Sequence, residues 1–408
     1  MAQTTQRPAF VPVLLGTEIA GYGMARAFYE EFGVTSEVWG TFPLTPTRAS
    51  KFINVHVDEH LLEGDRLLDV LNGAAGSYGD AVPVVVPCGD DYAVELSRVM
   101  DRLDPVYRVV CASGGVVEAM NDKERFYQRC EERGVPYPQT VVLNDTEVPE
   151  LPFGFPVALK PSDAPAWREH PFEGQKKAFV LDNREDLEET VRRAYAAGYP
   201  GALIVQDFIP GGDENMRVLN GYVRGDGTVS LMSLGHPLLE DCAPMRIGNY
   251  AAILSYGDDA VYDTVQSLME GSGYRGFFNI DMKYDPRDDS FKLFELNPRA
   301  GRSSFFTTLA GDNLARYAVD DVLDGGLLEP TRGTEEVLWL GVPMTVVKRY
   351  AADTPEKRRA LELHKAGKSG TTLFGCGDNS PERLWNMAKL WVHYVVDFNQ
   401  YFGKKDLS

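Results

Sequence analysis

A parallel α/β domain, continued by an α+β sandwich and closed by a helical extension, is the architecture this sequence predicts. Three observations carry it. The chain begins with two strand-then-helix units, VPVLLGTEIAGYGMARAFYE from Val11 and VPVVVPCGDDYAVELSRVMDRL from Val82. From residue 122 to 271, helical and strand patterns alternate. Two β-rich runs then flank the turn-forming stretch Asp285–Ser290, which reads as a hairpin. At 408 residues the chain exceeds one ordinary core. We expect units at 1–115, 116–330 and 331–408.

In order, the first unit is an apolar strand, a glycine turn at Gly16, Gly21 and Gly23, and a helix with Met24, Ala27 and Phe28 on one side. The glycines lack GxGxxG spacing, so a tight turn or a substrate contact is expected there and no dinucleotide. Val82–Val86 is a continuous buried strand, with Asp90 or Asp91 as the cap of the next helix. A helix over Asp122–Gly134 follows, then strand FPVALKP, helix Arg184–Ala197 and strand ALIVQDFIP. Strands at Met216–Tyr222 and Val229–Gly235 and a helix at Ala260–Gly271 precede the hairpin. The last helix, Pro381–Phe402, places Trp385, Leu390, Trp391, Tyr394 and Phe398 at core spacing. No catalytic signature is visible in 331–408, although the basic segments KRRA and HKAGK suit an anionic substrate or membrane surface.

Composition narrows the function classes. A net charge of −19 disfavours a general nucleic-acid binder, whose footprint is basic. Five scattered cysteines without CxxC spacing read as reduced thiols with no metal role. The first nine residues hold no apolar leader core, and the richest late apolar stretch, Leu390–Val396, is far short of the roughly 20 residues that span a bilayer. A cytoplasmic protein without a transmembrane segment is expected. The sequence carries no signal for an oligomeric state.

The sharpest chemical signal is the hairpin. With its centre near Asp288, Asp281 and Glu295 become cross-strand neighbours, Cβ atoms roughly 5 Å apart. Asn297, two residues beyond Glu295, shares its face. Like charges so close repel unless a cation lies between them, and hard oxygen donors favour Mg²⁺ over zinc. The competing reading is a solvated hairpin, under which Phe294 and Leu296 would face the core.

A second constellation suggests a nucleotide. Lys160 ends an apolar strand, where an unpaired ammonium is costly and an anion is the natural partner; a lysine snorkelling from a strand end is the alternative. Lys123 opens a helix nearby. In IVQDFIPGGDEN, backbone groups of Asp207 and Ile209 are placed to meet adenine, and Asp213 or Glu214 the ribose. The loop FEGQKKAF, with Lys176 and Lys177, can fold over phosphates or simply lie solvated. Ser162–Lys177 is a candidate lid. Arg299, Arg302, Ser303 and Ser304 follow the metal strand, where transferred phosphate or substrate carboxylates belong; bracing of the acids is the alternative for the arginines. Arg217 and Arg246 have weaker claims. His236 reads as a turn-fixing core residue before Pro237, ahead of an acid–base role.

Lys123, Lys160, the QDFIPGGDE hinge, Asp281 and the Glu295-Leu296-Asn297 run together resemble the ATP-grasp fold. That resemblance implies ATP phosphates at Lys123 and Lys160, adenine and ribose at the hinge (Gln206, Asp207, Ile209, Asp213, Glu214), and Mg²⁺ at Asp281, Glu295 and Asn297. Gln206 departs from the Glu that many members carry. LTPTRASKFINV, FEGQKKAFVLDNRED, VQDFIPGGDENMRVLNGYV, LGHPLLED, FNIDMKYDPRDDSFKLFELNPRAGRSSFFTTLAG and GTTLF extend the resemblance to the D-aspartate ligase family, of the carboxylate–amine branch. What it implies is activation of the D-aspartate β-carboxylate by ATP and transfer to the L-lysine ε-amine of UDP-MurNAc-pentapeptide. The same fold would serve a ligase for another amino acid, a carboxylase or a carbamoyl-phosphate synthase, but no biotin-directed or glutaminase segment is visible. A catalytically silent nucleotide-binding module is opposed by the retained lysines and acids.

Overall fold

The computed structural model describes residues 7–244 and 246–404. Part of the N-terminal stretch read above, residues 1–6, lies outside the described residues. Seventeen strands form three sheets among the described residues. The first holds β1 (Phe10–Leu15), β2 (Ser36–Gly40), β3 (Ile53–Val57), β4 (Val82–Pro87) and β5 (Arg108–Val109), all parallel in the order β3-β2-β1-β4-β5. Strand order reverses between β1 and β4, which leaves a crevice beyond their carboxyl ends, the usual place for a ligand in such sheets.

The glycines of the first turn divide their labour differently from the sequence reading. Gly16 alone sits in the turn, with φ +122°. Gly21 and Gly23 belong to the helix Ile19–Phe32. A Cβ on Gly21 would stand 2.0 Å from the Gly16 carbonyl oxygen, so this glycine permits close approach of helix and turn. Asp90 and Asp91 also differ from expectation. Gly89 is the N-cap of the helix Asp90–Val99, no side chain caps it, and Asp90 is engaged elsewhere.

The second sheet has β6 (Thr140–Leu143), β7 (Val157–Pro161), β8 (Phe179–Leu181) and β9 (Leu203–Asp207), antiparallel in the order β6-β9-β7-β8. The third holds β10 (Met216–Val223), β11 (Val229–Glu240), β12 (Tyr250–Tyr256), β13 (Gly276–Asp285), β14 (Ser290–Asn297), β15 (Thr331–Arg332), β16 (Leu338–Leu340) and β17 (Ser369–Gly370). Its path is β14-β13-β10-β11-β12-β16-β17, with β15 beside β11. The helix Lys123–Arg133 begins at Asp122, whose side chain accepts from the Arg125 N–H, and ends at the left-handed Gly134. Its Phe126 and Tyr127 pack in one apolar cluster with Leu219, Phe278 and Leu296 of the large sheet and Val13 and Val85 of the first. One core therefore fixes the first sheet against the hairpin.

The last helix, Pro381–Tyr401, is capped by Ser380, whose hydroxyl accepts from the Arg383 N–H. Its buried side is Arg383, Met387, Tyr394 and Phe398. Trp385 lies on the opposite side and is 63% exposed, against the core role expected for it. Arg383 explains the rotation. Fully buried, it pairs with Asp378 at 2.8 Å, donates to the Pro46 and Leu373 carbonyls and lies 3.9 Å over the Tyr22 ring. Breaking such a buried pair from one side costs about 3–5 kcal/mol, more than the roughly 1.5–3 kcal/mol from burying one large apolar side chain. The arginine therefore outweighs the tryptophan. All five cysteines are free thiols, four of them buried. No helix among the described residues is long and apolar enough to cross a membrane.

Candidate active site

Strands β13 and β14 pair Asp281 with Glu295 and Asn279 with Asn297, the register expected from the sequence. A bulge follows Asp281, because Met282 already faces Leu293. Phe294 is the extra residue and re-aims that edge. Its carbonyl accepts from the Tyr127 hydroxyl at 2.8 Å, and Leu296 alone is fully committed to the core. Asp281 receives the Tyr250 hydroxyl at 2.8 Å and the Asn297 amide at 3.4 Å. A ladder of amides runs across three strands: Asn297 donates to Asn279 at 3.1 Å, and Asn279 to Asn220 at 3.2 Å. The Gly301 N–H also donates to Asn220, tying the loop after β14 to the sheet.

Electrostatics sharpen the picture. Burial first, then the charge of Glu295, pushes the Asp281 carboxyl up to about 7. Burial acts on Glu295 too, but Lys123, Lys160, Lys177 and Arg299 outweigh it and hold its pKa below the usual glutamate value. A divalent cation between the two carboxylates would offset their repulsion and favour the ionised form of Asp281. Among the described residues no three His, Cys, Asp or Glu side chains gather as a metal cluster. Two carboxylates and an amide nevertheless fit Mg²⁺, which keeps several positions for phosphate oxygens and water.

These side chains line a cavity of about 240 Å³ together with Asp90, Lys177, Tyr250, Asn279, Arg299, Arg302 and Ser303. Arg299 donates to Asp90 at 2.9 Å, so the carboxyl end of β4 meets the loop that follows β14. Arg302 donates to the Tyr394 hydroxyl at 2.6 Å. Both serines are buried, but Ser303 lines the cavity, whereas Ser304 stands at the N-cap of the short helix Phe305–Leu309. The two serines, read alike from sequence, part company where the chain turns into that helix.

The lysines converge from three directions. Lys123 Nζ lies 3.7 Å from Glu295. Lys160 projects from β7, 5.5 Å from the centre of the Phe294 ring. Burial first, then Lys123, lowers its pKa to about 8. Lys177 donates to the Ile247 carbonyl at 3.0 Å, and the Lys176 carbonyl accepts from the Trp167 indole. The segment from Ser162 to Lys177 is less open than expected. It contains the helix Ala164–Glu169, and Trp167 is buried in the core of the small sheet.

The hinge is braced from behind. Gln206 donates to the Tyr127 hydroxyl at 2.7 Å and to Thr140 at 2.9 Å. The Asp207 carboxylate is held by both Nη atoms of Arg287, at 3.0 and 2.7 Å. Lys283 donates to the carbonyls of Ile209 and Gly211. The Asp207 N–H is taken by the Gln139 carbonyl, and the Ile209 carbonyl by Lys283. Asp213 accepts from the Glu240 N–H and Glu214 from the Gly212 N–H; both line a smaller cavity of about 120 Å³ shared with His236, Tyr350 and Lys357.

Three residues with weaker claims have structural duties. His236 is buried, bonds the Glu214 carbonyl at 2.8 Å, and is pushed down to about 4 by burial and then Arg217. Arg217 serves Tyr256 and the Glu214 and Met216 carbonyls. Arg246 is held between Asp241 at 2.7 Å and Asp397 at 2.5 Å. Sequence reasoning missed Asn279, Asn220, Tyr250, Tyr394 and the Asp90–Arg299 pair. Asn279 had a signal, since it lies two residues before Asp281 on the same face.

No family model matches the chain. The D-aspartate ligase of Enterococcus faecium (strain Aus0004) is 40% identical over 420 aligned residues, covering 100% of both proteins. The chain belongs to the D-aspartate ligase family. It is a ligase that forms C–N bonds, on an ATP-grasp fold. Among solved structures, an N5-carboxyaminoimidazole synthetase from Staphylococcus aureus complexed with ADP superposes with a TM-score of 0.59 at 12% identity, covering 83% of this chain and 84% of that one. The biotin carboxylase domain of the Hydrogenobacter thermophilus 2-oxoglutarate carboxylase, solved with MgADP and bicarbonate, gives 0.60 at 16% identity, over 81% and 73%. This D-aspartate ligase family member has a four-stranded antiparallel sheet and an eight-stranded one in its ATP-grasp region.

Proposed function

We propose that the protein uses ATP and Mg²⁺ to convert D-aspartate into a β-aspartyl phosphate and joins it to the L-lysine ε-amine of UDP-MurNAc-pentapeptide, in the cytoplasm. The carrying observation is one cavity that places the Asp281–Glu295–Asn297 set beside two arginines and a lysine, in a chain 40% identical throughout to a D-aspartate ligase. The reading divides the chain into an N-terminal unit to about residue 115, a nucleotide-binding and catalytic unit to about 330, and a C-terminal extension.

A carboxylate resists an amine because oxide is a poor leaving group. Attack of a β-carboxylate oxygen on the γ-phosphorus breaks the bond to ADP and leaves an acyl phosphate. The amine then adds to the acyl carbon, the C–O bond to phosphate breaks, and phosphate departs with the electron pair. Asp281, Glu295 and Asn297 would hold Mg²⁺, which supplies charge neutralisation on the phosphoryl oxygens when bound. Lys123 and Lys160 bear on the phosphates as cations. The Asp207 carbonyl and Ile209 N–H are the hinge groups assigned to adenine, Gln206 holds that strand, and Asp213 or Glu214 takes the ribose. Arg299, fixed by Asp90 beside Asn297, bears on the transferred phosphoryl group and the tetrahedral oxyanion. The departing phosphate accepts the amine proton; buried His236, in a separate cavity, is set aside as the base.

The acyl phosphate hydrolyses readily, so water must be kept out. The turn carrying Gly174, Lys176 and Lys177 bridges the small sheet to the 247–250 segment through the Lys177–Ile247 contact and is assigned as the lid. Trypsin should cut after Lys176 or Lys177 in the free protein and be slowed at least several-fold by a nonhydrolysable ATP analogue with Mg²⁺. Equal cleavage in both states removes this turn from the mechanism.

The test of the function is the product. With ATP, Mg²⁺, D-aspartate and UDP-MurNAc-pentapeptide, mass spectrometry should find one aspartyl residue added, and fragmentation should place it on the lysine ε-nitrogen. Greater phosphate release with L-aspartate or L-asparagine than with D-aspartate would refute the stereochemical assignment.

A further inference from the structure

D-Aspartate carries two carboxylates, and only one of them reacts. The unreactive α-carboxylate needs its own cation, away from Asp281 and Glu295, which repel it. Two arginines line the cavity, and their surroundings differ. Arg299 already commits one terminal nitrogen to Asp90 at 2.9 Å and Asn297 at 3.4 Å, so its fork is not free to take a carboxylate bidentately. Arg302 donates to the Tyr394 hydroxyl, a neutral group, and forms no ion pair among the described residues. Lys177 is a third cation in the wall, but it is a point charge on the proposed lid and already bonds a carbonyl. A guanidinium fork matches a carboxylate bidentately, as an ammonium does not.

Tyr394 is itself immobilised. It is 2% exposed on the last helix, and the Arg246 guanidinium lies 4.9 Å over its ring. Arg246 is in turn clasped by Asp241, at the end of β11, and by Asp397, one helical turn beyond Tyr394. The single Arg302–Tyr394 bond therefore references the guanidinium to the helix, to β11 and to the 246–250 segment lining the cavity.

We infer that Arg302 is the clamp for the α-carboxylate of the amino-acid substrate, and that Tyr394 of the C-terminal helix is the positioning residue that aims it. The inference rests on the function proposed above. It gives the C-terminal extension, silent in sequence, a part in substrate selection. It also separates the two arginines: Arg302 recognises the amino acid, while Arg299 serves the reacting groups.

The experiment compares D-aspartate with β-alanine, which has the same reacting carboxylate and the amine but lacks the α-carboxylate. Phosphate release is measured for the wild type and for Arg302→Lys, Tyr394→Phe and Arg299→Lys, each checked by thermal melting. Tyr394→Phe keeps the ring under Arg246 and deletes only the hydroxyl. The D-aspartate KM should rise roughly 10-fold in Tyr394→Phe and on the order of 100-fold in Arg302→Lys. The KM values for ATP and β-alanine should stay within about 2-fold of wild type, since uniform binding to other groups is untouched. Arg299→Lys should lower kcat with both amino acids. Equal rises for D-aspartate and β-alanine in Tyr394→Phe would reduce Tyr394 to a structural role and overturn the inference. A D-aspartate KM that moves with Arg299→Lys and not with Arg302→Lys would overturn it by placing the clamp at Arg299. A wild-type enzyme that releases no phosphate with D-aspartate refutes the proposed function itself, a failure visible before any variant is compared.

Discussion

Glu295→Ala and Asp281→Asn are each expected to lower turnover by roughly 10³-fold or more while the protein stays folded. On the proposed assignment, Glu295→Ala removes a hard oxygen ligand and Asp281→Asn removes a ligand's negative charge from a site whose cation neutralises the transferring phosphoryl group, a contribution of several kcal/mol. The folded state tolerates the loss. In the metal-free protein burial and the Glu295 charge disfavour the ionised Asp281, so Asp281→Asn relieves strain, whereas Glu295→Ala gives up only the partly exposed Lys123 contact and the nearby cations. Asn is the better probe at 281, because Ala there would strip the buried Tyr250 hydroxyl of its acceptor, at about 1–3 kcal/mol. Circular dichroism checks the fold, and activity is titrated with Mg²⁺. Near-normal turnover at ordinary Mg²⁺ would remove that residue from the metal site.

Lys160→Met should have the second largest effect, and it should run in opposite directions for stability and function. Burial, then Lys123, lowers the Lys160 pKa from the ordinary 10.5 to about 8. Between those values the unfolded chain holds the proton more tightly than the folded one. Stability contributed by this group is therefore present above pH 10.5 and lost as the pH falls through about 8. At pH 7 the wild type carries that penalty in full, and the near-isosteric methionine should raise the melting temperature of the nucleotide-free protein. ATP reverses the logic, because its phosphates favour the ammonium. Binding at pH 8–9 should take up a proton, measurable by calorimetry in buffers of different ionisation enthalpy, and Lys160→Met should abolish that uptake. ATP affinity and acyl-phosphate formation should fall by at least 10-fold, the effect of losing one charge-assisted contact. An unchanged ATP dependence in the variant would sink the assignment.

The parts of the site legible in the sequence are those set by local rules. Strand periodicity and the turn residues Asp285–Ser290 place the hairpin, but the turn closes on the Asp285–Ser290 pair, a register that by itself would set Asp281 against Phe294 and needs one extra residue to bring Glu295 opposite. The Phe294 bulge escapes those rules, since it depends on the Tyr127 hydroxyl waiting across a sequence separation of 167 residues. Asp90–Arg299, 209 residues apart, and Arg302–Tyr394, 92 apart, are invisible for the same reason. Amphipathic periodicity also misleads once a buried ion pair competes with it. Arg383 in a first helical turn reads as a surface residue, yet it turns the last helix so that Trp385 faces outward. Buried polar contacts thus decide what hydrophobic pattern alone leaves open.

The central claim is that the carboxylate of D-aspartate is activated as an acyl phosphate inside this cavity. Its most direct measurement uses D-aspartate labelled with ¹⁸O in the β-carboxylate, incubated with enzyme, Mg·ATP and the amine acceptor. If a carboxylate oxygen attacks the γ-phosphorus and leaves with it, each inorganic phosphate released must carry one ¹⁸O, seen by mass spectrometry or by the isotope shift in ³¹P spectra, with ADP unlabelled. Label appearing in AMP, with pyrophosphate released, would show adenylation instead, and unlabelled phosphate would show ATP hydrolysis uncoupled from the carboxylate; either contradicts the mechanism.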